Sequence, residues 1–278
     1  MFVAARAHMR ICAYVQENCR LRICAYEATM SILKKAVPIP KIEEQQRLLF
    51  VGPHPDDVEV ACGGTVAKLA AAGKQITFLV VTNGCVGSVN GLEGETLVQT
   101  RQKEALASAA LLGVSDVIFL PYDDGCGYDL RQVTRDIVKV ILDKKPQMVF
   151  CPDYTVPSEC HPDHLNVGKA VTDALFFAQW QPLTSRLGLS GCVKQVNVAY
   201  YYTHAPNAYV GVKKTSKLHM QAIACHKSQF TEADLKQLSL YFTLRELRFG
   251  LPRAKWRAEG FRVLAPVHQH CFPEASLF

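Results

Sequence analysis

The chain has 278 residues, 49% hydrophobic and 20% charged, which suits one large domain or two small ones and excludes a disordered, collagenous or coiled-coil chain. Its net charge of +6 divides into +3 over residues 1–46, −3 over 47–212 and +6 over 213–278; the basic carboxyl end lacks aromatic interleaving and any nucleic-acid motif, so it reads as a solvated face or a subunit contact, with no nucleic-acid partner. Apolar runs stop well short of the about 18 residues that a membrane span needs, Glu17, Arg20 and Arg22 break any signal-peptide core, and eleven cysteines without CxxC spacing point to reduced thiols in the cytoplasm.

In chain order, Arg10-Ile11-Cys12-Ala13-Tyr14 recurs as Arg22-Ile23-Cys24-Ala25-Tyr26. The twelve-residue offset is close to helical phase and predicts a helical arm over residues 1–46, closed by Pro38 and Pro40 and distinct from a main domain at 47–278. From Arg47 onward, strands are expected at Leu48–Gly52, Ile76–Thr82, Val117–Leu120, Met148–Cys151 and Val196–Tyr202. Helices are expected at Val60–Ala72, Thr96–Leu112, Leu130–Asp143 and His164–Ala178. Strands that are apolar throughout and alternate with helices predict an α/β fold, a Rossmann-like doubly wound, mostly parallel sheet with helices on both faces. In such a sheet ligands sit beyond the carboxyl ends of the strands, so functional residues belong in the loops that follow them.

Two such loops carry chemistry. The first strand runs into Pro53-His54-Pro55-Asp56-Asp57-Val58-Glu59, and the fourth is followed by Glu159-Cys160-His161-Pro162-Asp163-His164. Strands one and four flank the switch point of a doubly wound sheet, so the two clusters are expected to meet. Two histidines and a carboxylate with one open position are the ligands of a catalytic zinc site. Taken singly, each residue has an ordinary structural use; Asp163, for example, is placed to cap the next helix. Together, five acids and three histidines in two strand-end loops repel one another unless a cation or a substrate neutralises them.

Pro53 to Glu59 with Cys62-Gly63-Gly64-Thr65, and His161-Pro162-Asp163-His164, resemble the LmbE/PIG-L family of zinc-dependent N-acetylsugar deacetylases. Further similarities follow in order: Arg101-Gln102-Lys103-Glu104 resembles the family's RxxE helix, Asp124-Gly125 its DG turn, His226-Lys227-Ser228-Gln229 its HxSQ element, and Ala258 to Val263 its final strand. The resemblance implies that His54, Asp57 and His164 bind Zn2+ and that Asp56 is the general base, taking a proton from water acidified by the metal. It also implies that His161 stabilises the tetrahedral oxyanion, with Asp163 holding its imidazole in one tautomer and favouring the protonated form. Asp56 and His161 both remain candidates for protonating the leaving amine. Arg101 and Asp124 match positions that touch sugar hydroxyls or the attached group, Asn83 and Gly84 are placed to line the cleft, and Cys160 has no metal role.

The expected reaction is removal of the N-acetyl group from a small N-acetylglucosamine-type conjugate, releasing acetate and a free amine. The resemblance further implies a homo-oligomer; residues 1–46 lie outside the family's pattern and are expected to pack on a neighbouring subunit, because their apolar side chains otherwise lack a partner. A nucleotide-binding module is disfavoured because the Gly-Gly segment lacks GxGxxG spacing and sits beside three acids that repel phosphate. A catalytically inactive sugar-binding or scaffold protein is the other alternative, opposed by the intact Asp56 and the complete ligand set.

Overall fold

The computed structural model describes residues 26–194, 196–270 and 272–277. These fall into two units. In the first, residues 26–36 form a helix (α1) that ends before Pro38. The first copy of the Arg-Ile-Cys-Ala-Tyr repeat and all but Tyr26 of the second lie outside the described residues.

The second unit, Pro40–Ser276, contains the strands β1 (Arg47–Gly52), β2 (Gln75–Thr82), β3 (Asp116–Tyr122), β4 (Met148–Pro152), β5 (Asn197–Tyr201), β6 (Ala208–Gly211) and β7 (Ala258–Leu264). Its helices are α2 (Asp57–Ala71), α3 (Gly94–Leu111), α4 (Leu130–Lys144), α5 (Pro162–Ala178), α6 (Gln181–Arg186), α7 (Ser216–Ile223) and α8 (Glu232–Gly250). The strands form one seven-stranded sheet in the order β3-β2-β1-β4-β5-β7-β6. The first five are parallel, and β7 and β6 close the edge antiparallel. The doubly wound, mostly parallel sheet expected from the sequence is therefore the observed fold.

Alternation along β1 divides the core. Leu49 and Val51 join Val149, Ile137, Val171 and Ala174 in a cluster shared with α4 and α5. Phe50 points the other way and stacks on Phe150 at 4.0 Å between ring centroids, with Phe78 and Phe261 beside the pair. A sheet covered on both faces has no wet side, which is why its central strands read as unbroken apolar runs. All seven described cysteines are free thiols, and among the described residues no helix is long and apolar enough to cross a membrane.

Each expected strand appears within two residues of its predicted ends. Three helices start earlier than the apolar pattern announces: α2 begins at Asp57, α3 at Gly94 and α5 at Pro162. Polar side chains form their first turns, and Pro162 occupies the first helical position, where its missing N–H costs nothing. Beyond Tyr202 the sequence expectations name only the last strand; the structure adds β6, α7 and α8, the last opened by a capping box between Thr231 and Asp234.

The seat of α5 depends on a glycine. A Cβ on Gly168 would stand 2.6 Å from the Pro152 carbonyl oxygen and 3.0 Å from Tyr154 Cβ, so only hydrogen lets the first turns of α5 approach the end of β4. Gly168→Ala is expected to cost about 1–3 kcal/mol through overpacking, measured by denaturant unfolding, whereas Gly127→Ala, with nothing within 4 Å of the added carbon, is expected to be close to neutral.

Candidate active site

β1 pairs with β2 on one side and β4 on the other, so the loops leaving β1 and β4 open onto one crevice at the switch point. The first loop brings His54 and delivers Asp57 to the start of α2; the second brings Glu159 and His161 and delivers Asp163 and His164 to the first turn of α5. The two sequence clusters meet as expected. Asp57 Oδ2 lies 3.0 Å from His54 Nδ1, and Asp57 Oδ1 lies 3.3 Å from His164 Nε2.

Each of these imidazoles turns its other nitrogen to a further carboxylate. His54 Nε2 is 3.1 Å from Asp163 Oδ2, and His164 Nδ1 is 3.1 Å from Glu159 Oε2. Carboxylates behind ligand histidines fix the ring tautomer and orientation and raise ligand basicity. Burial alone would lower the pKa of His54, but its hydrogen bonds to Asp163 and Asp57 raise it to about 10. His164 is likewise raised to about 8, burial being outweighed by Asp57 and Glu159. Burial would push Asp57 upward; its two imidazole partners instead hold it well below the usual carboxylate range.

The donor atoms of His54, Asp57 and His164 all lie within 4.8 Å of one another. Around zinc, with N and O ligands at about 2.0–2.2 Å, tetrahedral neighbours stand roughly 3.3 Å apart, so this set fits such an ion. A second grouping, His54 with His161 and Asp163, also lies within 4.8 Å. It is the poorer cradle, because Asp163 already accepts hydrogen bonds from Gly125 N (2.8 Å), Cys126 N (3.0 Å) and Tyr128 Oη (2.8 Å). Gly125 and Cys126 both adopt positive φ, a turn that aims two successive N–H groups at one carboxylate. Cys160 is exposed and belongs to none of the groupings of metal-ligand type among the described residues.

Asp56 is held beside the ligands by Arg101, whose Nη2 donates to Asp56 Oδ1 at 3.2 Å. Burial raises the Asp56 pKa, with Arg101 opposing the shift. Arg101 and Asp124 line the same cavity of about 310 Å3 as His54, Asp56, Asp57 and His161. Their charges are engaged by protein groups, however: Arg101 Nη1 is 3.8 Å from Asp124 Oδ2 and bonds Gly84 O, while Asp124 accepts from Gly84 N (2.8 Å) and Val86 N (3.2 Å). The Asn83 side chain reaches Asp123 at 2.6 Å instead of the cleft.

His161 differs from expectation. Its Nδ1 accepts the backbone N–H of Asp163 at 3.2 Å, making it the N-cap of α5, while the Asp163 carboxylate serves His54. Its ring stacks on His164 at 4.7 Å and meets His54 edge-on at 4.7 Å. Burial and the two neighbouring imidazoles lower its pKa, which favours the neutral form over the protonated form. Because Nδ1 is an acceptor, the hydrogen of that neutral ring sits on Nε2.

The remaining motifs interlock. Glu104 accepts from Ser228 N (2.9 Å) and Ser228 Oγ (2.6 Å), and Gln229 Nε2 donates to Gly87 O at 3.1 Å. His226 is fully buried with Nε2 3.4 Å from Glu59, and only Gln229 of that segment lines the cavity. Sequence reasoning assigned no role to Glu159, to the Gly125–Cys126 turn, or to Tyr202, which stacks on His164 at 5.9 Å. A carboxylate five residues before a ligand histidine and an Asp-Gly turn after a strand were the available signals.

A doubly wound sheet with a two-histidine, one-carboxylate cradle and an acid beside it at the switch point defines a metal-dependent hydrolase site. The family model "PIG-L: GlcNAc-PI de-N-acetylase" matches residues 49–175. A diacetylchitobiose deacetylase of Thermococcus kodakarensis is 31% identical over 91% of this chain and 96% of its own. The structure of N,N'-diacetylchitobiose deacetylase from Pyrococcus horikoshii, 29% identical, superposes with a TM-score of 0.82 over 91% of this chain and 97% of that one. A 1D-myo-inositol 2-acetamido-2-deoxy-alpha-D-glucopyranoside deacetylase of Kineococcus radiotolerans is 29% identical over 50% of this chain and 47% of its own. The chain belongs to the PIG-L/LmbE family of metal-dependent deacetylases, and the inactive-scaffold alternative is not favoured.

Glu159→Gln and Asp163→Asn each remove the carboxylate behind one imidazole of the candidate cradle. Each is expected to weaken metal binding about 10–100-fold, read by chelator competition, with the fold retained by circular dichroism.

Proposed function

We propose that this enzyme hydrolyses the N-acetyl group of an N-acetylglucosamine-type sugar conjugate, with zinc held by His54, Asp57 and His164 and with Asp56 as general base. The convergence of those three donors from loops more than a hundred residues apart, with each imidazole backed by its own carboxylate, is the observation that carries this reading. When bound, zinc supplies Lewis acidity that acidifies water and polarises an amide carbonyl. Asp56, next in sequence to Asp57 and steadied by Arg101, takes the proton from the attacking water. His161 offers its Nε2–H to the developing oxyanion while remaining neutral. Asp56 then returns its proton to the leaving amine as the C–N bond breaks, so one water and one amide become acetate and an amine. Arg101 and Asp124 shape the sugar side of the cavity and hold the loop that begins at Asn83.

The resemblance of relatives acting on diacetylchitobiose and on a glucosamine-inositol conjugate supports a soluble amino-sugar substrate. Residues 47–278 form the catalytic domain in this reading, and residues 1–46 an extension. The free thiols among the described residues support the cytoplasm, and assembly as a homo-oligomer is part of the same proposal.

Zinc-loaded protein is expected to release acetate from N,N'-diacetylchitobiose. Asp56→Ala should keep zinc while turnover drops about 10²–10⁴-fold; activity near that of the unmodified enzyme would remove Asp56 as the base. His164→Ala should lose the metal, measured by plasma emission spectrometry, and full zinc stoichiometry would exclude it as a ligand.

A further inference from the structure

A second cavity, of about 590 Å3, opens on the other side of His164. His164 lines it, while the ring's Nε2 faces Asp57 of the smaller cavity. A molecule with its amide at the ligand cluster therefore extends past this imidazole into the larger space, whose size is that of an ordinary small-molecule site. Tyr202, stacked on His164, and the exposed side chains of Tyr241 and Leu244 give it an apolar side suited to the face of a sugar ring.

Arg245 and Arg248 line the same cavity, three residues apart and so, with Tyr241 and Leu244, on one face of α8. The other arginines near the site have carboxylate partners: Arg101 has Asp56 and Asp124, and Arg257 has Glu246. Neither Arg245 nor Arg248 forms an ion pair among the described residues; both lie over the Phe249 ring, at 5.6 and 5.9 Å. The one acid on the cavity wall, Glu159, is engaged by His164 Nδ1 and by the backbone N–H of His161. Two guanidinium groups without counter-charge on a concave wall beside the reaction site form a receptor for an anion, which they can grip through paired N–H donors.

We infer that the group attached to the acetylated sugar carries an anionic substituent, phosphoryl or carboxylate, bound by Arg245 and Arg248 in the cavity beyond His164. This rests on the deacetylase reading above, and it distinguishes the substrate from a neutral chitobiose unit.

The test uses three disaccharides that share a non-reducing N-acetylglucosamine and differ in the second unit: glucose, glucose 6-phosphate and glucuronic acid. Acetate release by zinc-loaded enzyme is expected to show kcat/KM at least tenfold higher for one or both charged compounds than for the neutral one. Preference for the phosphate or the uronate identifies the anion. In the Arg245→Gln/Arg248→Gln double variant the charged-to-neutral ratio should fall about tenfold. The variant Arg245→Lys/Arg248→Lys, which keeps charge but loses the planar fork, should give an intermediate ratio and serves if the glutamine pair does not fold. A ratio near one in the unmodified enzyme, or one unmoved by either pair of substitutions, overturns the inference. Calorimetric binding of the same compounds separates the two readings. Charge-dependent binding without acetate release overturns the deacetylase substrate class while supporting the arginine site; charge-independent binding overturns the arginine site whether or not acetate appears.

Discussion

The Asp57 carboxylate, set between the imidazoles of His54 and His164, is the contact on which the rest of the site depends. It joins a residue three positions away to one more than a hundred positions away, and both rings are pinned from behind by Asp163 and Glu159. Three carboxylates this close are tolerable away from water only when cationic partners compensate them. The same crowding that would destabilise an apolar core makes this crevice a receptor for a divalent ion. Because Asp163, which follows β4, also gathers Gly125 N, Cys126 N and Tyr128 Oη, it ties the loop after β3 to His54 after β1, so three strand ends share one polar network.

The scaffold meets the close tolerances of this network with glycines and a helix irregularity. Gly168 lets α5 settle against the carbonyl of Pro152, which sets where His164 emerges. In α2, Cys62 leaves helical geometry at φ −154°, ψ 28°. The amides of Gly64 and Thr65 that follow are satisfied by the Glu259 carboxylate at 3.0 and 2.8 Å. A Cβ on Gly64 would meet Glu259 Oε1 at 2.7 Å. The Gly-Gly-Thr segment is thus a docking place for a side chain of β7, and the antiparallel edge of the sheet braces the helix that carries Asp57. Charge placed at the start of a helical segment in this way is stabilising, since its first N–H groups have no partners within the helix.

The fold was legible because burial on both faces leaves its mark on every central strand, and the site's position followed from topology once the strands were in order. His54, Asp57 and His164 were legible as a set because their residue types and the loops that carry them restrict what they can do. The Asp163–His161 relation was not, since adjacency along a helix start does not say which side chain a carboxylate will face: Asp163 points across to His54, and its backbone amide alone turns to His161. Arg101 and Asp124 line the cavity, yet their ties to Asp56 and to the Gly84–Val86 backbone require coordinates. α8 escaped because its apolar side is interrupted by Arg245 and Arg248, whose setting only the folded neighbours reveal.

Chemistry and recognition are carried by different parts of the chain. The ligand set hangs from the ends of β1 and β4, the most deeply buried part of the sheet, where displacement is resisted by close packing on both faces. The walls around it come from segments joined by hydrogen bonds between side chains and loops: Glu104 with Ser228, Gln229 with Gly87, Asp124 with the amides of Gly84 and Val86. Such walls can be rebuilt without moving the residues of the cradle. His164 belongs to both parts. Its Nε2 faces Asp57 and its ring is stacked between His161 and Tyr202, so the residue that completes the cradle also forms the partition between the two cavities. Whatever occupies the larger cavity rests against the same imidazole that faces the reacting amide.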